Sequence, residues 1–210
     1  MENKRYIGQY MIRKITGILI LIQIILSQQV QEGTPYSQLN GLDNTYHSIN
    51  LPLVDREAML EEDSVKPLGT PYRYGFKHKV NYSPENSGIW EETSDGGIIW
   101  QIRFTSEDAF ALSFEYEQFY IPEGSKLYVY TPDYEMINGA YTHLNNTEHG
   151  YFSTPLIKGD IAIIEYYQPA SVVEEFSLNI TEIIHDYRDI MDFSNNGRDW
   201  ECGVNVICET

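Results

Sequence analysis

Between Gly97 and Pro132 the chain reads GIIWQIRFTSEDAFALSFEYEQFYIPEGSKLYVYTP, and this stretch constrains the fold more than any other. Ile98, Trp100, Ile102 and Phe104 occupy alternate positions over Ile98 to Thr105. Ala109 to Ile121 is rich in Phe and Tyr, and Ser125 to Tyr130 sets Leu127 and Val129 on one face. Successive side chains of a strand point to opposite faces, so period-two spacing of β-branched and aromatic residues predicts half-buried strands. Pro122-Glu123-Gly124 predicts a turn, with Pro fixing φ and Gly accepting a positive φ. The stretch holds no nucleophile–base pair and no metal-ligand spacing, so it informs on fold and not on chemistry.

Strand-like runs recur on both sides of it. Tyr72 to Tyr82 (YRYGFKHKVNY) alternates Tyr72, Tyr74, Phe76, His78 and Val80 with a face carrying Arg73, Lys77 and Lys79, cations suited to acids on a neighbouring strand. Ser83 to Gly97 reads as a loop holding Trp90. Ala140 to Leu144, His149 to Thr154 and Asp160 to Tyr167 are further strands, the last fully buried at Ile161 to Ile164, with Lys158-Gly159-Asp160 as a tight turn before it. Phe176 to His185 alternates again and closes the sheet. About eight short strands, with turns every eight to twelve residues, predict an all-β fold: an antiparallel β-sandwich, jelly-roll-like. One short helix precedes it. In Leu51 to Asp63 (LPLVDREAMLEED), Asp55 is placed to cap a helix running through Met59 to Glu62. A helix this short needs a docking partner. Ser64 to Pro71 is a linker, and residues 189–201 form a polar connector.

The N-terminus predicts export. Lys4, Arg5, Arg13 and Lys14 form a basic region ahead of the apolar run Ile15 to Leu26 (ITGILILIQIIL). Twelve residues interrupted by Gln23 are short for a bilayer span, so residues 1–27 read as a signal peptide cleaved after Ser27, a retained anchor being the alternative. Gln28 to Asn50 is polar and reads as a flexible lead-in to a sandwich over residues 51–188. The whole chain has 210 residues and a formal net charge of −17. Ten basic and thirty acidic residues remain beyond residue 14, a net charge of −20. Such a surface repels nucleic acid and anionic lipid, leaving membrane contact to the signal peptide.

Chemistry-bearing residues are scattered. His143 and His149 flank the Asn145-Asn146 turn beside Glu148, a candidate metal pair or a surface pair without function. Glu91, Glu92, Asp95, Glu115 and Glu117 could supply paired carboxylates or simply a solvated strand face and loop. Trp90 and Trp100 could form a sugar platform, or a loop anchor and a core residue respectively. The sequons at Asn81, Asn145 and Asn179 need no function. No Ser lies in a GDSG or GxSxG string, and no Ser-His-Asp motif is present. The expectation is a chain that is not itself an enzyme and needs no cofactor or metal.

The only cysteines are Cys202 and Cys208. A bond between them requires a turn. An extended Gly203 to Ile207 separates their Cα atoms by roughly 20 Å, beyond disulfide reach. Val204, Val206 and Ile207 favour the extended form, so each cysteine is expected to pair with one outside this chain. That reading makes residues 202–210 the start of a second domain.

Taken in order, LPLVDREAMLEED, PYRYGFKHKVNYSPENSGIWEETSDGGIIWQIRF, FYIPEGSKLYVYTPD and the terminal CGVNVIC resemble the N-terminal pro-region of bacterial lysyl-endopeptidase-like serine proteases, secreted and trypsin-like. The resemblance covers about residues 51 to 208. It implies a prodomain that packs on the protease during folding or restrains it until cleavage, with the catalytic domain in cis as partner. It also implies that Cys202 and Cys208 bond to cysteines deeper in that domain. The family's catalytic His, Asp and Ser have no counterpart here. A lysine-specific enzyme that matures itself would cut after Lys, but no Lys occurs beyond Lys158. Arg188 and Arg198 are the candidate processing sites, with Arg198 preferred beside Gly197. The competing expectation is a stand-alone secreted β-sandwich that binds carbohydrate or protein through its Tyr-rich surface.

Overall fold

The computed structural model describes residues 33–42 and 46–195, in which the period-two runs become two sheets packed face to face. In chain order the elements are α1 (Tyr36–Asn40), β1 (His47–Asn50), α2 (Arg56–Ser64), β2 (Gly75–Tyr82), β3 (Ile89–Glu92), β4 (Ile98–Thr105), β5 (Ala111–Tyr120) and β6 (Lys126–Tyr130). They continue with β7 (Ile137–Tyr141), a 3-10 turn (His143–Asn145), β8 (Phe152–Ser153), β9 (Ile157–Lys158), β10 (Ile161–Gln168), β11 (Ser177–Asp186) and α3 (Ile190–Asn195). The first sheet runs β1-β4-β10-β6-β7, with β3 also on β4. The second runs β2-β11-β5-β8, with β9 also on β5. The chain passes repeatedly from one sheet to the other, the wrapping of a jelly-roll-like sandwich. Among the described residues, all pairings are antiparallel except β1 with β4.

The alternation seen in the sequence becomes the inner faces. Trp100, Ile102 and Phe104 of β4, Leu127 and Val129 of β6, and Ile164 and Tyr166 of β10 meet Leu112, Phe114 and Tyr116 of β5 and Ile180 and Ile183 of β11. Trp100 is fully buried and donates Nε1–H to the Ser87 carbonyl at 2.9 Å. Gly88 lies against its indole with φ +81°, and a Cβ there would sit 2.2 Å from Nε1. Gly88→Ala therefore meets both a left-handed backbone penalty and overpacking. The expected loss is about 2–3 kcal/mol, read as a shift of the urea midpoint with an unchanged slope.

Several elements differ from the local pattern. Trp90 is not in a loop: Ile89–Glu92 pairs with β4, Trp90 lying opposite Trp100. A four-residue edge strand is too short to announce itself by alternation. Phe176 to His185 does not close its sheet, because β11 lies centrally between β2 and β5. Residues 28–50 are not simply a flexible lead-in. Within the described part, β1 pairs with β4 and α1 packs on the sandwich. The polar composition misleads here because these contacts are made largely through hydrogen bonds.

What α1 covers is the outer face of the first sheet. Register places Gln101, Glu165 and Tyr128 in one row across β4, β10 and β6, and Arg103, Ile163 and Tyr130 in the next. Tyr128, Tyr130, Ala140 and Ile163 form a second, smaller buried cluster, with Tyr46, Tyr134 and Ile137 against it. Glu165 has no exposed surface. Its carboxylate accepts from Tyr130 OH at 2.7 Å, Gln101 Nε2 at 2.9 Å, the Ser37 backbone N–H at 3.3 Å and the Ser37 hydroxyl. Tyr36 stacks on Tyr167 at 4.5 Å, and Gly41, left-handed at φ 57°, ends the helix. The donors around the buried carboxyl group are aimed at it, which is what burial of a polar group requires.

Candidate functional site at the chain exit

Asp55 accepts from the Ala58 N–H at 3.0 Å, as the sequence predicts, and starts α2. The helix buries no residue fully. It docks instead through charge. Asp63, with 9 % of its side chain exposed, gathers four donors. Lys66 Nζ lies 2.7 Å and Arg73 Nε 3.0 Å from Oδ1, while Tyr187 OH lies 2.5 Å and Arg188 Nη2 2.6 Å from Oδ2. Arg73 also reaches Glu62 at 3.1 Å. Burial alone would raise the Asp63 carboxyl. The bonds from Lys66, Tyr187 and Arg188 and the charge of Arg73 outweigh it and hold the group well below the usual carboxylate range.

The last residues of the sandwich enter this cluster. Arg56 Nε donates to the Tyr187 carbonyl at 2.9 Å, and Arg188 Nε to the Arg73 carbonyl at 2.9 Å. The Arg188 guanidinium lies over the Tyr72 and Tyr187 rings, 5.0 and 5.4 Å from their centroids. Asp186, buried at the end of β11, accepts the N–H groups of Arg188, Asp189 and Ile190 at 2.8, 3.1 and 3.1 Å. Its burial raises the carboxyl pKa, against the pull of those bonds. The chain thus leaves the sandwich at a point gripped on both side chain and backbone. A carboxylate held ionised among guanidinium groups is suited to fixing geometry rather than to exchanging protons near neutral pH.

The other candidates lie apart. Arg188, a proposed processing residue, is inside the clamp. Ser27, Arg198, Cys202 and Cys208 lie outside the described residues, as does the apolar run Ile15 to Leu26. His143 sits half-buried in the 3-10 turn and His149 is exposed. Among the described residues no group of three or more His, Cys, Asp or Glu could hold a metal ion. Of the cations on β2's flank, Lys77 meets acids of neighbouring strands, Glu115 at 3.0 Å and Glu182 at 2.5 Å, whereas Arg73 turns to α2. Trp100 is a core residue, and Trp90 stays 41 % exposed with its indole edge-on to Tyr166 and Phe176.

Sequence reasoning passed over Asp63 and Glu165. For Glu165 a signal existed: a nearly continuous apolar strand must be covered on both faces, and a charge within it must find donors. For Asp63 none did, since its partners lie up to 125 positions away.

No family model matches the chain. Among solved structures, an isomalto-dextranase of Arthrobacter globiformis T6 complexed with panose aligns at 9 % identity with a TM-score of 0.22. The alignment covers 46 % of this chain and 17 % of that one. Likeness at that level carries neither fold nor activity across.

Proposed function

We propose that residues 51–188 are the non-catalytic pro-region of a secreted, trypsin-like (lysyl-endopeptidase-like) serine protease precursor. The sandwich assists folding of the protease domain or restrains it until cleavage. One observation carries this reading: α2, built from the phrase LPLVDREAMLEED, grips the chain at Tyr187 and Arg188, where it leaves the last strand. A domain that templates or restrains its C-terminal neighbour must hand the chain over from a fixed point, and the clamp supplies one. The test is to read the coding sequence past codon 210 and express the whole frame with and without residues 28–188. The expected result is a continuation bearing His, Asp and Ser triad motifs and further cysteines, with active protease recovered only when the sandwich is present. Active protease in equal yield without it would overturn the reading.

A second reading, a stand-alone secreted module binding carbohydrate or protein, draws on the outer face of the second sheet. There an open cleft of about 430 Å³ is lined by Lys79, Glu115, Glu117, Thr181 and Glu182, with Tyr151 exposed at its edge. A stop codon directly after Thr210 would favour it, and a glycan and protein binding screen would be the next step.

A further inference from the structure

A trypsin-like protease takes a basic side chain into an acidic pocket and needs the flanking backbone accessible and pliable enough to enter its cleft. Arg188 satisfies neither condition in the folded chain. Its side chain is 22 % exposed and committed to Asp63 Oδ2 and the Arg73 carbonyl, between two tyrosine rings. On the backbone, the N–H groups of Arg188, Asp189 and Ile190 all point to one carboxylate, that of Asp186. Asp189 is left-handed at φ 57°, and α3 begins at the next residue. The bond after Arg188 is folded into a tight turn, the opposite of an extended substrate.

The element that holds Arg188 is weak by construction. α2 has nine residues and no fully buried side chain. Short helices do not persist alone, and elements with little buried apolar contact open at low cost while the rest of a domain stays folded. Undocking α2 removes Asp63 from Arg188 and Arg56 from the Tyr187 carbonyl together, leaving the turn held by its three bonds to Asp186 and by the Arg73 carbonyl.

We infer that the Arg188–Asp189 peptide bond is a latent cleavage site for a trypsin-like protease, shielded while the Asp63 clamp is closed and opened when α2 undocks. This gives the proposed pro-region a regulated exit and rests on that reading for its biological role, though not for its test. The step is ordinary hydrolysis: water adds across the C–N bond, leaving a carboxylate on Arg188 and an amine on Asp189.

The experiment treats the full chain with trypsin and monitors, by intact mass, the fragment ending at Arg188. In native buffer the wild type is expected to release that fragment at least about a hundred-fold more slowly than Asp63→Asn, and to release it readily in urea. Circular dichroism and the urea midpoint establish that the sandwich of each variant is folded. Because Asp63→Asn alone could compromise folding, Arg188→Lys is measured beside it. It keeps a residue trypsin accepts but replaces the planar fork, which holds the Arg73 carbonyl with Nε and Asp63 with Nη2, by a single flexible ammonium. Rapid native cleavage in this variant supports the inference. It is overturned if native wild type is cut after Arg188 as fast as the variants, or if folded Arg188→Lys resists as the wild type does. Neither result depends on the coding sequence beyond codon 210, so failure here and failure of the pro-region reading are separable.

Discussion

Replacing Glu165 with alanine is expected to release residues 33–42 from the first sheet and to lower unfolding stability by about 3 kcal/mol. The carboxylate is the common acceptor for Tyr130, Gln101 and both donors of Ser37. Its negative charge, after burial itself, is what drives the Tyr130 hydroxyl pKa far above its ordinary value. Without it those donors face one another across an apolar, tyrosine-lined surface. Each buried donor left unpaired costs about 1–3 kcal/mol. The total is capped, because undocking residues 33–42 lets water reach all of them. The signature is therefore local first: amide exchange and proteolysis rise in 33–42 before the sandwich melts. Ser37→Ala, which removes one hydroxyl and leaves the carboxylate its other partners, should show the same local release with a smaller shift of the urea midpoint. A Glu165→Ala chain that keeps residues 33–42 protected would refute this account of the outer face.

Acidification from pH 6.5 to about 4 is expected to cost a further 3 kcal/mol or so through His185. The imidazole is buried between β2 and β5, with Nδ1 2.8 Å from the Ser106 hydroxyl and the His78 ring 6.2 Å away. Burial, with repulsion from His78, pulls its pKa down from 6.5 to about 4, against a weaker upward pull from Asp108. The unfolded chain therefore takes the proton first. Stability falls as pH drops below 6.5, by about 1.4 kcal/mol per unit, and levels off near 4, where the folded form is protonated too. His78, also lowered by burial, acts in the same sense. Asp186 acts in the opposite sense, because its raised pKa makes the folded form the better proton acceptor. Asp63, held low, keeps its contribution throughout this window and loses it only under stronger acid. Urea unfolding between pH 7 and 4.5 reads the slope, and His185→Gln should flatten it by most of that amount. An unchanged slope in the variant would assign the acid lability to other groups.

His185 lies out of phase with the alternation of its strand: Leu178 and Ile180 face the core, and a β-bulge between Ile180 and Glu182 turns Ile183 and His185 inward instead. Local pattern does mark the burial of Trp100, Ile102 and Phe104, the turn at Pro122 to Gly124, and the start of α2 at Asp55. Each depends on chemistry within a few residues: side-chain alternation, a fixed φ, a carboxylate three positions from the N–H it caps. A period of two also says which sheet face is apolar, and two such faces pack, so the sandwich itself was legible.

The cover of the second face was not. Glu165 and Ser37 stand 128 positions apart, and Asp63 and Arg188 stand 125 apart. The apolar strand around Glu165 marks it as a charge that needs donors, but nothing local says which residues supply them, and Asp63 carries no mark at all, because polar residues are equally at home in solvent until a third element brings their donors together. The parallel seat of β1 on β4, the edge strand holding Trp90 and the gripped exit at Arg188 are of the same kind. Their energies come from hydrogen bonds and ion pairs whose strength depends on exclusion of water, and only the assembled tertiary structure excludes it.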